Sequence, residues 1–152
     1  MTVLLHIGER ETRLSLPGEA PFVLAIGTLR PGAMPWRQDP PSAPALESAI
    51  ADVEDQVMPL LRRLPAGADL HSADREAHAL LAWAGLGNGE GAQTLPIDDV
   101  ERAFNELAAI SLGRPAASSS LPVGGAFTAY VLILRECMHH LGFRTLTVAG
   151  PV

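Results

Sequence analysis

The sequence predicts a single α/β domain spanning residues 1–152, with a mixed sheet of about five strands, the first three antiparallel, flanked by helices. Three observations carry that expectation. Short β-type runs joined by turn residues open the chain, later segments repeat apolar residues every three or four positions, and the stretch from Arg144 to Val148 alternates again. With 152 residues, 47% hydrophobic and 18% charged, the chain can bury one core and has little room for two. Only 5% of residues are aromatic, so that core is assembled mainly from Ala, Leu, Val and Ile.

The β-type runs are Thr2 to Ile7, Thr12 to Leu16 and Pro21 to Ile26, separated by Gly8-Glu9-Arg10-Glu11 and Pro17-Gly18-Glu19-Ala20. Glycine supplies positive φ and proline fixes its own φ, so these separators read as tight turns in an antiparallel meander. Gly27 to Ala45 holds seven prolines and glycines and reads as a surface loop. Leu46, Ile50, Val53, Val57, Leu60, Leu61 and Leu64 then draw one apolar stripe along a helix, which Pro59 should interrupt. Asp69-Leu70-His71 reads as a short buried strand, with Ser72 or Asp74 capping a helix over Arg75 to Trp83. Gly85 to Gly91, with four glycines, reads as a mobile connection that ends that helix. A helix from Asp98 to Ile110 has Asp98 and Asp99 at its positive end, and a polar link then leads to a long apolar helix, Gly125 to Leu141, closed by Gly142.

Net charge is −6 and every one of the 11 basic residues is Arg. Nucleic-acid binding that depends on clustered cations is not expected. The lone Cys137 admits no intrachain disulfide, and no stretch of the chain reads as a leader or a membrane span, so a cytoplasmic protein is expected.

Three strands, a helix, a strand, helices and a last strand is the order of the ribonuclease H-like half-domain of the actin and sugar-kinase superfamily. Within it, His6-Ile7-Gly8-Glu9-Arg10-Glu11-Thr12-Arg13-Leu14 resembles the D-I-G-G-G-S-T-E-L motif of the exopolyphosphatase and guanosine pentaphosphate phosphatase (Ppx/GppA) family, keeping Ile7, Gly8, Thr12 and Leu14. Leu24 to Arg30 resembles that family's S-L-x-L-G-A-V-R, and Asp39-Pro40-Pro41-Ser42 its D-P-P-S. Ala73 to Ala82 takes the place of G-T-G-G-T-A-T-T-L-A, and Leu107 to Leu112 resembles L-x-x-L-S-L. Leu132-Ile133-Leu134, Leu141-Gly142 and Leu146-Thr147-Val148 are similar to its closing helix and strand, and Gly150-Pro151-Val152 falls where G-L-R-E-G would begin. The collinear series implies the second lobe of that family's catalytic core, without the first.

The resemblance implies two glycine-rich loops that present main-chain N–H groups to phosphate across a cleft. Here those loops are degenerate. Glu9, Arg10, Glu11 and Arg13 replace glycines, the serine and the carboxylate of the first, and Arg75 and Glu76 replace glycines of the second. Side chains obstruct close approach and carboxylates repel an anion. The degenerate ligand positions are therefore Gly8, Glu9, Arg10, Thr12 and Arg75.

Replacement chemistry has few candidates: His6, Glu11, His71 and Asp74, with the two imidazoles converging beside Asp74 at the strand ends. The alternative to a metal or acid/base set is a group of ordinary hydrogen-bonded side chains, and no metal or cofactor is expected. His139 and His140 stand about 100° apart on a helix and suit its negative end rather than one ion. Asp52, Glu54 and Asp55 read as a solvated face, Cys137 as core, and Trp36 and Trp83 as half-buried anchors. Gly87 to Gly91 lacks the Lys and Ser/Thr of a phosphate loop, and Tyr130 falls where the family has glycine. The expected function is a stand-alone, catalytically inactive exopolyphosphatase-like module for binding or regulation. It would pair as a homodimer, or with a protein on the face of the missing lobe, and not with nucleic acid or a membrane. The alternative is a small phosphohydrolase or ligand-binding enzyme built on His6, Glu11, His71 and Asp74.

Overall fold

A computed structural model describes residues 1–87 and 91–149. Its six-stranded sheet has the order β3-β2-β1-β4-β6-β5. The strands are β1 (Thr2–Ile7), β2 (Thr12–Ser15), β3 (Phe22–Leu24), β4 (Asp69–Ser72), β5 (Gln93–Pro96) and β6 (Thr145–Val148). Four α-helices complete the fold: α1 (Ala43–Val57), α2 (Arg75–Trp83), α3 (Ile97–Ser111) and α4 (Gly125–Leu141). No helix among the described residues is long and apolar enough to cross a membrane.

The first three strands form the expected antiparallel meander, with Leu5 opposite Leu14 and Arg13 opposite Val23. The turn between β2 and β3 places Pro17 second and Gly18 third, with φ +76° at Gly18 and Glu19 N–H donating to the Leu16 carbonyl at 3.2 Å. That is the residue pattern a type II turn requires. β4 joins β1 in parallel after the α1 crossover, and β6 joins β4 in parallel.

β5 is a strand beyond the five expected. It runs antiparallel to β6 at the sheet edge, and only Leu95 is buried along it. Pro96 lacks an N–H, which an edge strand tolerates, and it stands at the N-cap position of α3. Residues 88–90, part of the connection expected to be mobile, and residues 150–152 lie outside the described residues.

Helix limits follow the sequence signals. Ser42 caps α1 by accepting from Ala45 N–H at 3.2 Å, and α1 gives way to a 3-10 turn at Met58–Arg62, where Pro59 removes a donor. Gly142 closes α4 in the left-handed conformation, and Phe143 N–H bonds back to the Met138 carbonyl. α4 packs against α1 and α3, and almost its whole length from Phe127 to Leu141 is buried. The inward face of the sheet (Val3, Leu5, Ile7, Leu14, Leu24, Leu70, Leu95, Leu146 and Val148) completes the core.

The loop after β3 folds onto the β1–β2 turn. Thr28 N–H donates to the Gly8 carbonyl and Leu29 N–H to that of Glu9, both at 2.9 Å, while the buried Thr12 hydroxyl donates to the Ile26 carbonyl. Gly27 permits this close approach: a Cβ there would lie 2.5 Å from the Glu9 carbonyl. Gly27→Ala should therefore lose about 1–3 kcal/mol of stability in urea unfolding, as a methyl forced against fixed backbone does.

Candidate functional site

β1 and β4 are parallel neighbours, so the end of β1 and the β4–α2 turn meet at one edge of the sheet. Between them lies an open crevice of about 610 Å³ lined by Leu4, Leu5, His6, Ala73, Asp74, Arg75 and Glu76. Strand-end crevices of this kind are where open α/β sheets ordinarily bind ligands.

Asp74 is its centre. The residue is 7% exposed, and its carboxylate accepts from His6 Nδ1 at 2.5 Å, from the Ile7 main-chain N–H at 3.0 Å and from the Tyr130 hydroxyl at 2.9 Å. Its own N–H donates to the Ser72 hydroxyl at 3.1 Å. Asp74 does occupy the N-cap position of α2, but its side chain makes no capping bond there. The carboxylate is drawn instead to donors on β1 and α4, so its expected role as a cap is corrected to a long-range bridge.

His6 is the exposed member: its side chain keeps 63% of its accessibility while Nδ1 is held by Asp74. The second ring nitrogen, Nε2, makes no hydrogen bond among the described residues and lies beside Gly8. A Cβ on Gly8 would stand 3.5 Å from that nitrogen and 3.1 Å from the Glu11 carbonyl. An exposed imidazole oriented by a buried carboxylate has the form of a general base with its positioning partner.

The four candidates do not all meet. His6 and Asp74 are bonded, whereas His71 lies half-buried within β4, in register with Leu4, and Glu11 pairs with Arg13 at 2.7 Å. Neither His71 nor Glu11 makes a hydrogen bond to Asp74 or His6 among the described residues. Arg75, the first residue of α2, lines the crevice; Gly8 closes the β1–β2 turn by donating its N–H to the Glu11 carbonyl at 2.9 Å, and Glu9 and Arg10 at its tip are exposed. Positive φ occurs nowhere in that turn.

Tyr130 is the functional neighbour that sequence reasoning passed over. It is fully buried, and a buried phenol hydroxyl requires a partner, which was the available signal. Burial, and then the adjacent Asp74 carboxylate, push its ionisation well above 10.0. Burial also raises the Cys137 thiol from 9.0 to about 12, with Glu136 adding to the effect, so Cys137 is a core residue and no nucleophile. Trp83 is half-buried beneath the Arg102 guanidinium, 4.2 Å from the ring centre, and Trp36 is half-buried against the core.

The acidic face of α1 is not wholly solvated. Asp52 accepts the Ala33 N–H at 2.9 Å, holding the long loop, and Glu54 approaches His140. Only Asp55 is exposed. His139 and His140 face different carboxylates, Glu101 and Glu136, rather than simply the helix end.

No family model matches the chain, and no curated protein does. Solved structures do. The chain resembles the Ppx/GppA phosphatase of Aquifex aeolicus (type II variant) with a TM-score of 0.76 at 12% identity, over 98% of this chain and 53% of that one. Its fold is that of one half of a Ppx/GppA phosphatase. An exopolyphosphatase-like protein aligns with a TM-score of 0.68 at 14% identity, over 98% of this chain and 55% of that one. An exopolyphosphatase from Cytophaga hutchinsonii aligns with a TM-score of 0.62 at 13% identity, over 99% and 53% respectively. The chain thus spans about half the length of the Ppx/GppA and exopolyphosphatase structures it matches. The ribonuclease H-like lobe expected from the motif series is the fold observed; of the two loop segments, Ala73–Glu76 lines the strand-end crevice and Gly8–Arg13 does not.

Two measurements probe this site. Asp74→Ala leaves the Ile7 N–H and the Tyr130 hydroxyl without their acceptor and should cost about 2–5 kcal/mol in urea unfolding, with Asp74→Asn costing less. Tyr130 and Cys137 both ionise at higher pH folded than unfolded, so the stability tied to their protons is complete below about pH 9 and is lost as pH rises. The Tm should be flat up to that point and fall above it; Tyr130→Phe and Cys137→Ala should each make the fall shallower, whatever they do to the Tm at neutral pH.

Proposed function

We propose that this domain is a non-catalytic, exopolyphosphatase-like binding module that acts through its surface rather than through phosphate chemistry. One observation carries the reading: the main-chain donors at the end of β1 and the start of the β1–β2 turn, beside the crevice, are already engaged by the protein. The Gly8 N–H is spent on Glu11 within its own turn, and the Ile7 N–H is spent on the Asp74 carboxylate. A fixed internal anion therefore stands where the Ppx/GppA resemblance implies a bound one, and it repels any other.

A second copy is the partner we propose. The outer face of the meander carries His6, Arg13 and Val23 in one cross-strand row, with Leu4 opposite Ser15 beside them. Leu4 and Val23 each keep 49% of their accessibility, high for large apolar residues on a sheet. A two-fold association burying this face covers both, and such dimers are the commonest oligomers.

The expected outcome with polyphosphate, guanosine pentaphosphate and p-nitrophenyl phosphate is no phosphate release above a protein-free control, and no binding of orthophosphate by calorimetry. Saturable release or binding that disappears on substitution at the crevice overturns the non-catalytic reading. In sedimentation at micromolar concentration the chain should be a dimer, and Val23→Asp a monomer. A monomer for the unsubstituted chain refutes the proposed partner.

A second reading has one specific observation in its favour, the His6–Asp74 pair lining the crevice, with Nε2 of the exposed imidazole making no hydrogen bond among the described residues. It assigns a small hydrolase with His6 as general base and Asp74 as its positioning residue. Under that reading, hydrolysis of an ester or phosphoester is lost in His6→Ala and retained in His71→Ala; equal loss in both, or no hydrolysis at all, removes it.

A further inference from the structure

We propose that Glu54, Glu136 and His140 form a site for one divalent transition-metal ion of the zinc class, clamping α1 to α4. The site is independent of the function proposed above. Along α4 the helix advances about 15 Å from Tyr130, at the crevice, to His140.

Glu136 is the starting point. It is 2% exposed in a helix whose other buried members are almost all apolar, and an ionised carboxylate in such a place costs several kcal/mol unless it is matched. Its two oxygens are divided between partners. Oε1 accepts from Arg135 Nη1 at 2.8 Å, and the Arg135 guanidinium is itself pinned over the Phe104 ring, 4.7 Å from its centre. Oε2 lies 2.7 Å from His140 Nε2, and Glu54 Oε2, arriving from α1, lies 3.8 Å from that nitrogen. One ligand atom from each of the three residues falls within 4.8 Å of the others.

The two distances to His140 bracket what a four-coordinate ion needs. Bonds of about 2.0–2.1 Å separate tetrahedral ligand atoms by about 3.3 Å, so the Glu136–His140 pair opens by about 0.6 Å and Glu54 moves in toward both by about 0.5 Å or more. The partly exposed Glu54 side chain and the His140 ring make these movements, while Glu136 stays on Arg135. The Arg135 contact occupies the Glu136 oxygen that the metal does not use and fixes the carboxylate's orientation, as a supporting hydrogen bond does in other metal sites. Water takes the fourth position. Glu54, whose side chain is 42% exposed, provides the entry path from solvent.

The donor set selects the ion. One imidazole nitrogen with two carboxylate oxygens and no thiolate suits zinc, cobalt or manganese, whereas calcium and magnesium prefer oxygen alone. The two carboxylates and the Arg135 guanidinium sum to one negative charge, which attracts a cation. His139 is excluded, since its Nδ1 faces Glu101 at 3.8 Å and its ring meets that of His140 edge-on.

The test uses the full chain, freed of metal by a chelator and titrated with zinc by calorimetry, then with cobalt while visible absorption is followed. Expected are one ion per chain, a higher Tm with zinc and the intense visible bands of four-coordinate cobalt. Glu54→Gln, at a partly exposed position that leaves the core intact, and His140→Ala should each weaken binding roughly tenfold or more, and His139→Ala should leave it unchanged. Absence of zinc binding at submillimolar concentration, or binding undiminished in Glu54→Gln and His140→Ala, overturns the site.

Discussion

The Asp74 carboxylate is the point on which the strand-end geometry of this domain depends. A buried anion must be matched by donors, and Asp74 draws them from β1, through His6 and the Ile7 N–H, and from α4, through Tyr130. Hydrogen bonds to a charged acceptor contribute about 1.5–3 kcal/mol each. They fix where the β4–α2 turn crosses the end of β1, and with it the depth of the crevice. They also fix which ring nitrogen of His6 faces solvent. Tyr130 makes the bridge rigid from below, since a fully buried side chain of that size on a packed helix has no other place to go.

Most of the scaffold was legible because it is written in short-range chemistry. Pro17-Gly18 encodes its turn, Gly142 its helix end, and Pro59 the change from α to 3-10 geometry, each through a local restriction on φ or a missing donor. β5 was illegible for the same reason in reverse: Gln93–Pro96 is short, buries one residue, ends in proline and is held as a strand only by pairing with β6, about fifty positions away. Strand identity there is a property of the partner and not of the segment.

The site was legible in part. His6 and Asp74 converge because parallel neighbours bring strand ends together, which topology alone implies. His71 fails to join them because the parallel register sets it opposite Leu4, two residues before His6 on β1. Glu11 is taken by Arg13, a contact two residues away that outcompetes anything across the crevice. Asp74 resembled a helix cap because capping is the local option for an aspartate before a helix; its actual partners, His6, Ile7 and Tyr130, lie far away in sequence and leave no local trace. The same holds for Glu54, which patterning assigns to solvent and packing assigns to His140.

Glycines in this domain separate two demands that family motifs usually combine. Gly27 keeps its place because the Glu9 carbonyl lies where a Cβ would go, a constraint internal to the fold and indifferent to any ligand. Glu9, Arg10 and Arg75, at positions where the Ppx/GppA resemblance implies glycine, meet no such backbone, and the fold accommodates their side chains without positive φ. Gly8 lies between the two cases, with the Glu11 carbonyl and the His6 ring both close to its missing side chain. Packing thus accounts for Gly8 and Gly27, and no backbone in the scaffold requires glycine at Glu9, Arg10 or Arg75. At the end of β1 the His6 imidazole and the Ile7 N–H turn inward to the protein's own Asp74 carboxylate, and the fold is kept around that contact.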